Sequence, residues 1–190
     1  MMTKTNTVAL LAATFGAALC GLLGTSASAQ STTPAEKPIT IKLGAFFPSS
    51  SNLKNAASDT WFSAGAEYAF KSGATQSIPS SVTPLAYVDY AGINRHGVNS
   101  NYVGVGPGFR YALTAPGTST LNPYVGAGIG AYFVHAKGFG LSDNKTNFGY
   151  RLNAGVEFNQ SYLFEINYTD PGSLTGTHFG GFNVQVGARF

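Results

Sequence analysis

Three histidines, His96, His135 and His178, are the side chains here whose type best suits proton transfer near neutral pH. With Asp143, Asp170 or Ser100 they could make a hydrolase or acyltransferase site. In such a site the imidazole takes the proton of a hydroxyl nucleophile while a carboxylate holds the ring. No spacing motif joins these residues, and solvated loop positions account for them better. No pair of the histidines has a ligand spacing on a regular element, so a metal site is not expected. Gly126-x-Gly128-x-x-Ala131 fits a dinucleotide-binding fingerprint. That chemistry needs a helix after the glycines to receive the phosphate, whereas these residues continue a strand pattern. The lone Cys20 lies in an N-terminal apolar run and follows Leu19 rather than a small residue. Lipidation, a disulfide framework and a thiolate metal site are therefore not expected. No catalytic site and no cofactor is expected.

The charged residues carry more information. Lys42, Arg110, Arg151 and Arg189 are balanced by Glu67, Asp89, Glu157 and Glu165, and all eight fall at alternate positions of otherwise apolar or glycine-rich segments. Gly104, Gly106, Gly108, Gly126, Gly128 and Gly130 fall on the same alternate positions. Strict alternation is the signature of a strand with one apolar face. It recurs in residues 39–47, 62–71, 85–91, 101–112, 124–135, 147–158, 162–169 and 182–190. We therefore expect eight strands, most long enough to cross a bilayer when tilted. The segments 48–59, 92–100, 136–145 and 170–178 read as loops at one end, and 72–84, 113–122 and 159–161 as turns at the other.

The sense of the alternation decides the class. In a soluble barrel the apolar face points inward; in a membrane barrel it points outward. Here the polar face is mostly glycine, asparagine and isolated charge, too sparse for a soluble surface. Charged residues are 10% of the chain and aromatic residues 13%, with 24 glycines. Aromatics recur near the ends of the apolar face at Phe47, Phe62, Phe70, Tyr111, Phe133, Phe148, Phe158, Tyr162, Tyr168 and Phe190, as interfacial girdles require. Closure satisfies every backbone N–H and C=O in lipid, which an open sheet cannot do. The expected fold is thus all-β: a closed, antiparallel, up-and-down transmembrane barrel of eight strands over residues 39–190. On this reading the eight charges and six glycines face the lumen. The charges pair there, Glu165 with Arg189 first among them because their strands are neighbours. The glycines leave room for bulky side chains from the opposite wall or permit tight curvature.

Residues 1–29 read as a signal peptide. Lys4 precedes an apolar run over residues 8–23, and Ala27-Ser28-Ala29 makes a cleavage site before Gln30. Residues 30–38 read as a flexible leader. The net charge of +3 is too small to suggest a nucleic-acid partner.

The segments LNPYVGAGIGAYF (residues 121–133), FGYRLNAGVEF (148–158) and LFEINYTD (163–170) resemble small outer-membrane barrels of the opacity-protein and outer-membrane-protein-W type. The ending FNVQVGARF resembles their C-terminal strand, which the outer-membrane assembly machinery reads, with Phe182, Val184, Val186 and Phe190 as its signal. That signal often carries glycine five residues before the last aromatic, where this chain has Gln185. The resemblance implies a porin-like protein of the Gram-negative outer membrane whose partners are membrane lipid and the assembly machinery. A structural or surface-interaction role with specificity in the outward loops is the first expectation. A narrow channel or transporter for small or apolar solutes is the second. The sequence names no ligand.

Overall fold

The computed structural model describes residues 37–70, 81–95, 97–113, 120–138 and 141–190. The expected signal peptide, the leader up to residue 36, most of the connections 72–84 and 113–122, and His96 lie outside the described residues.

Eight long strands close into one barrel in the order β1, β10, β7, β6, β5, β4, β3, β2. They are β1 (Ile39–Pro48), β2 (Trp61–Ala69), β3 (Val82–Arg95), β4 (Val98–Ala112), β5 (Leu121–Gly138), β6 (Leu141–Phe158), β7 (Tyr162–Asp170) and β10 (Gly181–Arg189). Each pairs antiparallel with its neighbours. The seam between β1 and β10 runs from Thr40 opposite Arg189 to Pro48 opposite Gly181, and Ile39 and Phe190 exchange two backbone bonds below it. The remaining elements cap the end opposite the termini. They are a short helix α1 (Ser51–Ala56) after β1 and a small hairpin of β8 (Ser173–Leu174) and β9 (Thr177–His178) between β7 and β10.

The alternation sets the faces. Lys42 has no exposed surface, while its neighbours Ile41 and Leu43 are 48% and 52% exposed. The apolar face is the outer one on every long strand, and exposed rings such as Phe62, Phe148, Tyr162 and Phe190 stand on it. Large apolar side chains turned to the outside around a whole barrel require an apolar solvent.

Four strands are longer than their sequence pattern. β3, β4, β5 and β6 continue through residues expected to be loops, so that 92–100 and 136–145 are largely hairpin extensions with pairing as far as Arg95–Val98 and Gly138–Leu141. Apolar alternation marks only the part of a strand that divides lipid from lumen. Beyond it both faces are wet, and Ser142-Asp143-Asn144-Lys145-Thr146 carries no alternating signal although the ladder continues. At the other end β6 and β7 are joined by a tight turn in which Asn159 (φ 50°) and Gln160 (φ 56°) both take left-handed backbone. These two form the centre of a β-turn closed by the Ser161 N–H on the Phe158 carbonyl, within a three-residue connection, and their left-handed conformation matches the twist of the flanking strands.

Candidate functional site

The barrel interior holds two layers. Nearer the termini lies the charged layer. Glu67 on β2 is its hub: it accepts from Lys42 on β1 (Nζ–Oε1 2.8 Å), from Arg110 on β4 and from Arg151 on β6. Lys42 also reaches Glu165 on β7 at 2.6 Å, and Arg151 reaches Asp89 on β3 at 3.0 Å. Glu157 on β6 takes Arg110 and Arg189 at 3.0 Å each. All eight charges expected on the lumen face therefore join in one connected network that touches seven of the eight long strands. Only β5 contributes no charge, and its Tyr124 lies under the Arg110 guanidinium at 4.7 Å while donating to Glu165 at 2.8 Å.

The expected pairing of Glu165 with Arg189 is not formed. On β7 and β10 the register sets Gln185, not Arg189, opposite Glu165. Arg189 lies four residues further along its strand, about 13 Å away at the usual rise. It bonds through its backbone N–H to Ser161 and through its side chain to Glu157. Strand neighbourhood was legible, but stagger was not.

Neutral polar side chains extend the layer. Asn153 and Asn167 donate to Glu165 at 3.0 and 3.2 Å, Asn167 also donates to Gln185, and Gln185 donates to Ser63 at 2.6 Å. Asn183 and Thr169 both donate to the Asn167 side-chain Oδ1, at 2.7 and 3.1 Å. Buried ions are tolerated when neighbours fill their remaining bonding positions, and this ladder does so for Glu165.

The second layer is apolar, and the sequence reading did not anticipate it. Phe46, Trp61, Tyr87, Tyr102, Tyr132 and Val134 turn inward and are buried, joined by Leu53 from α1 and by Leu174 and Phe179 from the β8–β9 segment. The Phe46 ring lies 5.5 Å from that of Trp61, tilted, and 5.5 Å from that of Tyr102, edge to face, and Tyr102 lies 5.9 Å from Tyr132. Tyr87 links the layers: its hydroxyl is 3.1 Å from that of Tyr132, and its ring lies under the Arg151 guanidinium at 3.9 Å. The signal existed, since Phe46, Trp61, Tyr87 and Tyr132 fall on the inward parity.

Of the six inward glycines, Gly104, Gly128 and Gly130 make room for tyrosines of this layer rather than for the opposite wall. A Cβ on Gly104 would run into the Tyr132 ring of the adjacent strand, and one on Gly128 would meet the Tyr87 ring at 2.7 Å, two strands away. The tyrosines lie along the wall, over the glycines. At Gly106, Gly108, Gly126 and Gly130 the nearest obstacle is the neighbouring backbone, which marks tight local curvature. The β4–β5 register is interrupted at Gly106 and Pro107, where proline has no N–H to give.

The chain matches the family described as "Outer membrane protein beta-barrel domain" over residues 15–190. It belongs to that outer-membrane β-barrel family. A search of curated sequences finds no significant match. Among solved structures it is similar to Neisserial surface protein A, with TM-score 0.63, 14% identity, and coverage of 80% of this chain and 94% of that one. The N-terminal β-barrel domain of Pseudomonas aeruginosa OprF gives 0.51 at 15% identity, covering 82% and 98%. The outer membrane enzyme PagL gives 0.53 at 12% identity, covering 80% and 98%. At these identities the likeness is one of fold. Membership places the barrel in the outer membrane, with its apolar belt in lipid. By the rule that periplasmic turns are short, the 159–161 turn and the paired Ile39 and Phe190 lie on the periplasmic side, and α1 with the β8–β9 hairpin on the outer side.

The residues considered for catalysis sit at that outer side or apart. His178 Nε2 lies 3.0 Å from Asp170 Oδ1, and its Nδ1 accepts the Gly180 N–H at 3.1 Å. Both ring nitrogens are thus engaged within the loop. His135 bonds Asn144 at 2.6 Å, Asp143 accepts its neighbour's backbone N–H, and Ser100 is buried in the lumen wall. These groups do not converge. The expected assembly-signal residues Phe182, Val186 and Phe190 are more than half exposed on the lipid face of β10, with Val184 partly buried among them.

Proposed function

We propose that this outer-membrane barrel is closed to solutes and serves a structural or surface-interaction role, with any binding specificity in its outward connections. The observation that carries this is the connected eight-charge network lying beneath the aromatic layer. An eight-stranded barrel is only wide enough for side chains to fill, and here a salt-bridged layer and an apolar one occupy it in series. An ion would have to break buried pairs in the first and shed its water in the second. The engagement of both His178 nitrogens supports a non-enzymatic reading. Residues 1–29 act on this account as a cleaved signal peptide of a Gram-negative cell, with maturation near Ala29-Gln30, and β10 is read by the assembly machinery. A narrow passage for small or apolar solutes is the second reading, favoured by the aromatic lining of the outer half. Liposomes carrying the folded protein and loaded with a small sugar separate the two. The closed barrel leaves efflux at the rate of protein-free liposomes, whereas sugar release that rises with protein density contradicts it.

A further inference from the structure

The lipid-facing wall is not uniform. An open apolar groove of about 530 Å³ runs along β10 near the periplasmic end. The register explains it. Ala188 stands between Ile41 on β1 and Tyr162 on β7, and Val186 between Leu43 and Phe164. Gly187 and the Ala188 methyl form a low floor with bulky side chains on both sides. At the lower rim Lys37 emerges from the barrel, exposed, with its ammonium 2.7 Å from the hydroxyl of Ser161, the residue before Tyr162. Lys37 makes no ion pair among the described residues, and Tyr162, 63% exposed, lines the groove beside it.

We propose that this groove is a phospholipid site: one acyl chain lies along β10 and the lipid phosphate is held by Lys37 with the Tyr162 hydroxyl. The occupant follows from the setting. Family membership places this wall in the bilayer, so the groove meets acyl chains and not peptide. The periplasmic end meets the phospholipid leaflet. A cation and a phenol at the interface beside an apolar channel match a phosphate joined to a chain.

The test is native mass spectrometry of the folded protein in mild detergent, titrated with a phospholipid or with diacylglycerol, which carries the chains without the phosphate. Variants that pass a heat-dependent gel-mobility check for folding are compared. Wild type retains one phospholipid. Ala188→Phe, which fills the floor, lowers retention at least fivefold, whereas Ala127→Phe on the lipid face of β5, across the barrel, leaves it unchanged. Lys37→Glu, outside the barrel strands, weakens the phospholipid to the level of diacylglycerol and leaves diacylglycerol unaffected. Equal retention in wild type and Ala188→Phe, or equal binding of the two lipids to wild type, overturns the site.

Discussion

Glu67 receives three cations from three different strands and has almost no exposed side-chain surface. Replacing it with glutamine removes the only negative charge shared by Lys42, Arg110 and Arg151, leaving buried cations with too few counter-charges. Breaking a buried pair in this way costs about 3–5 kcal/mol. Arg189 is different: it is 20% exposed, and Glu157 keeps Arg110 when Arg189 is lost. We therefore expect Glu67→Gln to lower the stability of the vesicle-folded protein, measured by urea titration, far more than Arg189→Met, which loses about 1 kcal/mol or less. Equal losses would remove Glu67 from the centre of the network. Which residues face inward was legible because strand parity is a local property. Which charge meets which was not: Arg189 and Glu165 are on neighbouring strands but about four residues apart in height, a stagger fixed by pairing across the sheet. The inward facing of Tyr87 is a matter of parity, but what it touches is not. It reaches Gly128 and Gly130 across an intervening strand, a contact that only barrel curvature creates.

The β6–β7 turn places two non-glycine residues in left-handed backbone. A residue with a Cβ pays roughly 1–2 kcal/mol there, and the preferred hairpin pair is Asn-Gly. Gln160→Gly is therefore expected to stabilise the barrel by about 1 kcal/mol in the same urea assay; a loss of stability would mean that the Gln160 side chain matters more than its backbone. At the seam, Phe190 exchanges both backbone bonds with Ile39 and turns its ring to the lipid face, while Asn144 sits in an exposed hairpin extension bonded to His135. Deleting Phe190 should reduce the outer-membrane level of the protein strongly, and deleting Asn144 only slightly, by immunoblot of separated membranes. Equal levels would remove the role assigned to the last strand. Existence and facing of the strands could be read wherever lipid and lumen imposed alternation. The ends of β3 to β6 could not, because above the membrane a polar hairpin and a polar loop have the same composition.

The described barrel is an apolar belt around an interior lined by the charged and aromatic layers, and its closure leaves no strand edge within the belt among the described residues. A closed barrel with both layers intact should resist detergent at room temperature and migrate differently on a gel before and after boiling; one mobility under both conditions would mean the barrel is not stably closed. On the proposed reading of a closed lumen, the aromatic layer and the charged layer act in series, so that opening either alone leaves the other in place. The most direct measurement is single-channel current through the purified, folded protein in a planar bilayer. The closed interior predicts no openings above the noise of the bare bilayer at moderate voltage and salt. Stable ion-conducting openings in wild type, blocked or enlarged by Glu67→Gln, would contradict it and show that the network lines a conducting path.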